Sequence, residues 1–118
     1  MTIREVISQT DELFTNAFSD EQKLKWLQDI ESKIYKEIAL THEHEIDMTD
    51  FDDDSNELIA PSPYDNLYTS YLLAQIFKYS QETVRYNNAM IIFNQEYQEF
   101  ANYWNRKYMP ISHNEGEN

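Results

Sequence analysis

The sequence predicts an all-α fold, a four-helix body with a long acidic loop between the second and third helices. Two observations predict it. Apolar side chains recur at three- and four-residue intervals in four stretches of the 118-residue chain. Between the second and third stretches that periodicity lapses, and from His42 to Glu57 there are eight acids and no Lys or Arg. One domain, 1–118, is expected at this length, with residues 42–60 as the acidic loop and 111–118 as a polar tail.

The first helix is expected over 3–14. Thr2 and Glu5 have the spacing of a capping box, and Ile3, Val6, Ile7, Thr10 and Leu13 follow as a stripe. Phe14 and Phe18 flank a short connection and are expected to pack on the core. Ser19 then opens a second helix, 20–40, with Asp20 and Glu21 at the positive end of its dipole. Leu24, Leu27, Ile30, Ile34 and Ile38 form its apolar stripe, supported by Trp26 and Tyr35; Lys23, Lys25, Lys33 and Lys36 lie largely off it. The acidic segment carries so dense a like charge that a mobile loop is expected, tethered by Ile46, Met48 and Phe51. Ser62 as cap and Pro63 at the first helical position start the third helix, 63–79. Ser80 caps the fourth, 82–108, which Pro110 ends. Along it Tyr86, Met90, Phe93, Tyr97, Phe100 and Trp104 form a heptad-like seam suited to a partner helix at a shallow angle. The third and fourth helices are expected to form an antiparallel hairpin carrying the core.

Composition excludes several functions. The formal net charge is −13, and phosphate neutralisation needs the opposite balance, so a general nucleic-acid binder is excluded. Absence of cysteine removes disulfides, thiolate metal sites and cysteine nucleophiles. One glycine cannot build a phosphate-cradling loop. The longest apolar run, Ala89 to Phe93, falls far short of the ~20 residues of a membrane span. The N-terminus lacks a signal-peptide pattern, which fits a cytosolic or virion-internal protein.

Few motifs carry chemistry. His42 and His44 diverge on a helix and share a face on a strand, but no spacing supplies a third metal ligand, so a solvated loop is preferred. Asp50-Phe51-Asp52-Asp53-Asp54 begins like a calcium loop. It then fails, because Ser55 stands where a glycine is needed and Pro61 where a glutamate is needed. The clustered acids lack a pocket to separate their pKa values, and His113 stands alone. No catalytic, cofactor or metal residue is therefore expected, and no enzyme. The tyrosines are more informative: eight of nine fall between Tyr64 and Tyr108. A surface rich in Tyr and Asn suits a half-wet protein interface. Asn87, Asn88, Asn94, Asn102 and Asn105 on the fourth helix fit such contacts, or an AT-rich genome. The candidate interface comprises Tyr64, Tyr68, Tyr71, Tyr86, Asn87, Asn88, Tyr97, Tyr103, Trp104 and Arg106.

Two stretches carry a resemblance. Leu58 through Tyr68 (Leu-Ile-Ala-Pro-Ser-Pro-Tyr-Asp-Asn-Leu-Tyr), with Tyr71-Leu72 and Ala74-Gln75-Ile76, is one. Arg85-Tyr86-Asn87-Asn88-Ala89-Met90, with Phe93-Asn94, Tyr97, Phe100 and Tyr103-Trp104-Asn105-Arg106, is the other. With the opening helix, Glu21 to Trp26 and Leu40 to Glu43, the chain resembles small head–tail connector (adaptor) proteins of tailed phages and prophages of Gram-positive hosts. The resemblance departs at Ser80-Gln81, where many relatives have an Asn-Gly turn, and in the unusually acidic 42–57 segment. It implies a small helical virion protein of the neck, cytoplasmic in the host before assembly. It further implies a ring, of twelve subunits, under the portal, contacting portal and other connector or tail-completion proteins. In that setting Asp50, Asp52, Asp53 and Asp54 are candidates for a channel-lining or inter-subunit acidic loop, where negative charge keeps passing DNA from adhering. Two rival readings stand beside it. One is a small acidic, DNA-mimic-like regulator of a host protein. The other is a metal-dependent domain centred on His42, His44 and the Asp cluster.

Overall fold

The computed structural model describes residues 1–112, so His113 and most of the expected polar tail lie outside the described residues. The fold is all-α. Its helices are α1 (Ile3–Leu13), α2 (Asp20–Ile34), α3 (Asn66–Tyr79) and α4 (Thr83–Lys107). No strand occurs among the described residues.

The two N-terminal starts follow local chemistry. Thr2 accepts from the Glu5 N–H while the Glu5 side chain accepts from the Thr2 N–H, closing the expected capping box. Ser19 caps α2 by accepting from the Gln22 N–H. α2 does not run unchanged to residue 40. Its last turn, Tyr35–Ala39, widens into a π-helical turn closed by Leu40 N–H donating to Tyr35 O at 2.9 Å. Thr41 then stops it by donating to the Glu37 and Ile38 carbonyls.

α3 is the central helix and packs against α1, α2 and α4. Leu67, Tyr68, Thr69, Leu72, Ala74, Gln75 and Ile76 are buried, as a helix enclosed on most sides requires. Its start corrects the sequence expectation. Residues 61–65 form turns, with a cis Ser62–Pro63 bond and Tyr64 N–H donating to Pro61 O. Ser62 therefore caps nothing, and the helix begins at Asn66. Nor does Ser80 cap α4. It ends α3, Gln81 takes a left-handed conformation (φ 61°), and α4 begins without a side-chain cap.

α3 and α4 form an antiparallel hairpin, with Tyr71 against Phe93 midway along it and Tyr64 against Tyr103 near its open end. The core is not carried by that hairpin alone. Ile3, Val6 and Ile7 of α1 and Leu27, Ile30 and Ile34 of α2 join the same cluster. Phe14 stacks edge-on to Phe77, and Phe18 to Trp26, as their positions suggested. Two residues are placed otherwise than expected. Leu13 is exposed, and Lys23 is buried because its ammonium reaches Asp11 at 2.6 Å.

The acidic segment is not free chain. Residues 43–65 form an irregular strap laid across α1 and α2. Ile3 N–H donates to Asn56 O, Arg4 N–H to Asp54 O, and Leu58 N–H to Met1 O. The strap thus satisfies the unpaired amides at the start of α1. A buried carboxylate holds its other side. Glu31 of α2 accepts from Thr49, from the Ile59 N–H at 2.8 Å and from the Tyr68 hydroxyl at 2.6 Å; Tyr68 in turn accepts from the Ala60 N–H. Like-charge repulsion is offset by these contacts and by burial of Leu58 and Ala60.

Candidate functional site

Two surfaces stand out: the outward face of α4 and a groove beside its C-terminal end. The predicted seam of α4 turns inward. Phe93, Phe100 and Trp104 are buried and Met90 and Tyr97 half-buried, so the partner helix it was suited to is chiefly α3 of the same chain. Tyr68 is consequently not available to a partner, and Trp104 reaches the surface only as part of a groove wall. Tyr68 is fully buried with its hydroxyl on Glu31, and Trp104 packs on Phe100 and Tyr108. Tyr97 is tied inward as well, donating to Glu37 at 2.8 Å with Lys33 over its ring. Burial, then the Glu37 carboxylate, pushes the Tyr97 phenol well above its ordinary range. Tyr71 is half-buried against Phe93, and Tyr86 is half-buried too.

The opposite face of α4 is exposed and uncharged. It presents Val84, Asn87, Asn88, Ile91, Asn94, Gln95, Gln98, Asn102 and Asn105. Charged residues are confined to its flanks and end (Arg85, Glu99, Arg106, Lys107). α2 shows the usual alternative: its exposed positions include Asp20, Glu21, Lys25, Asp29 and Lys33. On α4, Val84, Ile91 and Ile92 are 73%, 64% and 52% exposed, so the face is part apolar as well as amide-rich. Asn87 and Asn88 of the predicted set lie here.

The groove, about 580 Å³, lies between the strap and the last turns of α4. One wall is aromatic. His44 stacks on Tyr108 with centroids 3.9 Å apart and planes 4° from parallel, and Tyr103 and Trp104 continue the wall. The other wall carries Asp47, Asp50 and Glu57, with Ile46, Leu58 and Ile59 beneath. The Lys107 ammonium lies 5.5 and 5.6 Å from the Tyr103 and Tyr108 ring centroids and donates to the Tyr103 hydroxyl. That hydrogen bond, foremost, raises the pKa of Lys107. The Trp104 Nε1 is buried and lacks a hydrogen-bond partner. Tyr64 stacks on Tyr103 and, with Glu99, Asn102 and Arg106, lines a shallow adjoining depression.

The remaining candidates separate. The His42 ring nitrogens are occupied by Ile38 O at 2.7 Å and Asn105 at 2.6 Å, while His44 faces Tyr108. The bridge of His42 to Pro110 draws the chain after α4 across this end. Among the described residues no group of three His, Asp or Glu side chains converges on a metal-sized site. Three of the four aspartates serve local structure: Asp50 accepts from the Asp52 N–H, Asp53 accepts from the Ser55 N–H and hydroxyl, and Asp54 pairs with Arg4 at 2.7 Å. The Ser55 contacts hold the Asp53 carboxyl below its ordinary range.

Sequence reasoning missed Glu31, Tyr108 and His44 as a stacking partner. Glu31 was visible in principle: an acid four residues after Leu27 and three before Ile34 stands on the apolar stripe. The others converge only through the fold. No protein-family model, curated protein or solved structure matches the chain. No helix of the described residues is long and apolar enough to cross a membrane.

Proposed function

We propose that this protein is a non-catalytic structural subunit of a phage virion, a head–tail connector that assembles as a ring under the portal. The observation that supports the reading is the outward face of α4. A chain with 26% charged residues leaves nine exposed positions along the outward face of its longest helix free of charge, with charge only at the flanks and end of that face. Exposed helix faces ordinarily favour charge for solubility, whereas contact surfaces are depleted in Lys, Glu and Asp. The elongated shape, 53 × 32 × 22 Å, offers long lateral faces to neighbouring copies. The strap, carrying eight acids between His42 and Glu57, supplies a surface from which DNA is repelled.

The DNA-mimic alternative needs carboxylates in phosphate-like rows on rigid elements. Asp50, Asp53 and Asp54 instead turn onto the chain's own backbone, hydroxyl and guanidinium groups, which weighs against it. The test is co-expression with the portal and capsid proteins of the same phage, followed by particle purification and cryo-EM. Copies in a ring at the neck are the expected result. A protein absent from particles, whose deletion leaves head–tail joining intact, refutes the reading.

A further inference from the structure

We infer that the groove between the strap and the end of α4 is a docking site for an arginine or lysine side chain carried on an extended segment of a partner protein. The inference rests on the assembly reading for the existence of a partner and adds the partner's chemistry. Charge sets the first requirement. Asp47, Asp50 and Glu57 rim the groove, and among its lining residues Lys107 is the cation. An anionic occupant, whether an acidic peptide or a nucleotide whose base stacked on the rings, places its charge against three carboxylates. The aromatic wall sets the second. Ring faces attract guanidinium and ammonium groups, and guanidinium also stacks flat on them. Lys107 already holds a cation at the hydroxyl edge of this wall, donating to Tyr103 with its ammonium 5.5 and 5.6 Å from the Tyr103 and Tyr108 ring centroids. Size sets the third. About 580 Å³ is the range of pockets that enclose ligands of several hundred daltons, enough for a few residues of extended peptide.

Lys107 is then an internal placeholder: an incoming cation must displace or share its position. This gives the inference a signature that bulk electrostatics lacks. The probe is the acetylated, amidated peptide Gly-Arg-Gly-Arg-Gly, titrated into the full chain and followed by the two tryptophan indole N–H resonances. Trp104 lines the groove and Trp26 does not. The Trp104 signal is expected to shift while that of Trp26 stays. The triple variant Asp47→Asn, Asp50→Asn, Glu57→Gln is expected to weaken binding about tenfold through lost charge-assisted contacts. Lys107→Met is expected to tighten it, and Lys36→Met, the same charge change on an exposed site elsewhere, to leave it unchanged.

Three results overturn the inference: no binding, equal binding of the citrulline peptide, or equal weakening by Glu21→Gln, Asp52→Asn, Asp53→Asn on the far part of the strap and α2. Each leaves ring assembly to be decided separately by particle content, so the two readings fail independently.

Discussion

Glu31 is the residue on which the strap hangs. A carboxylate with no exposed surface is costly unless its lone pairs are filled, and here Thr49, Ile59 and Tyr68 fill them. Glu31→Ala leaves the Tyr68 hydroxyl and the Ile59 N–H without an acceptor. It is expected to cost about 2–4 kcal/mol in urea unfolding. Burial pushes the Glu31 carboxyl above its ordinary value of 4.5, against the pull of the three donors. The folded chain therefore binds this proton more readily than the unfolded chain. The stabilisation is full below 4.5 and is lost as pH rises through the folded value. Compared with Glu31→Gln, which cannot titrate, the parent chain should gain stability as pH falls from 7 toward 5. Urea midpoints of both proteins at several pH values measure this, and a gap of constant size contradicts it. Gln81 offers a second test at this scale. Its φ of 61° suits glycine, so Gln81→Gly is expected to raise stability by about 0.5 kcal/mol despite the added chain entropy. A lower thermal midpoint counts against it.

At the scale of elements, what was legible in the sequence depended on how far away the deciding partner lay. The starts of α1 and α2 were legible because Thr2, Glu5 and Ser19 bond within one helical turn. The start of α3 was not, because Pro61 and Pro63 served turns as readily as a first helical turn. The seating of the strap was not, because its partners on α1, Glu31 and Tyr68 are remote in sequence. Tyr68 and Trp104 of the candidate interface are buried for a related reason. A heptad seam looks the same whether its partner is another chain or the preceding helix. Asn87 and Asn88 stay on the surface because amides on a helix do not fill a core. The two faces of α4 should therefore respond oppositely to substitution. Phe93→Ala, on the inner face, is expected to lose about 3–4 kcal/mol of stability. Ile91→Glu, on the outer face, is expected to stay within about 0.5 kcal/mol of the parent chain while abolishing incorporation into particles. Thermal melts and particle content of the two variants test the pair, and normal incorporation of Ile91→Glu removes the outer face from the assembly argument.

For the whole molecule the balance is between a net charge of −13 and a few exposed ion pairs. Arg4 pairs with Asp54 and Asp20, Lys25 with Asp29, and Lys33 with Glu37, all substantially exposed. Such pairs contribute about 0–1 kcal/mol each, and salt weakens them. Opposing them, 22 acids face 9 bases, so most carboxylates have no cation of their own. The radius of gyration, 15.5 Å, exceeds the roughly 13.5 Å of a compact chain of this length, which spreads the charge but leaves the strap crowded. Screening reaches about 10 Å at 0.1 M salt, longer than the spacing of acids along the strap. Repulsion therefore outweighs the pairs, and salt should stabilise this protein rather than weaken it. The thermal midpoint is expected to rise between about 20 and 300 mM sodium chloride (roughly fourfold shorter screening at the upper end). Asp52→Asn with Asp53→Asn should raise the low-salt midpoint and reduce that slope, since asparagine keeps the Asp53 turn to Ser55 while removing two charges. A midpoint that falls with salt would mean that the ion pairs outweigh the repulsion, and the strap could not then be the DNA-repelling surface that a channel position requires.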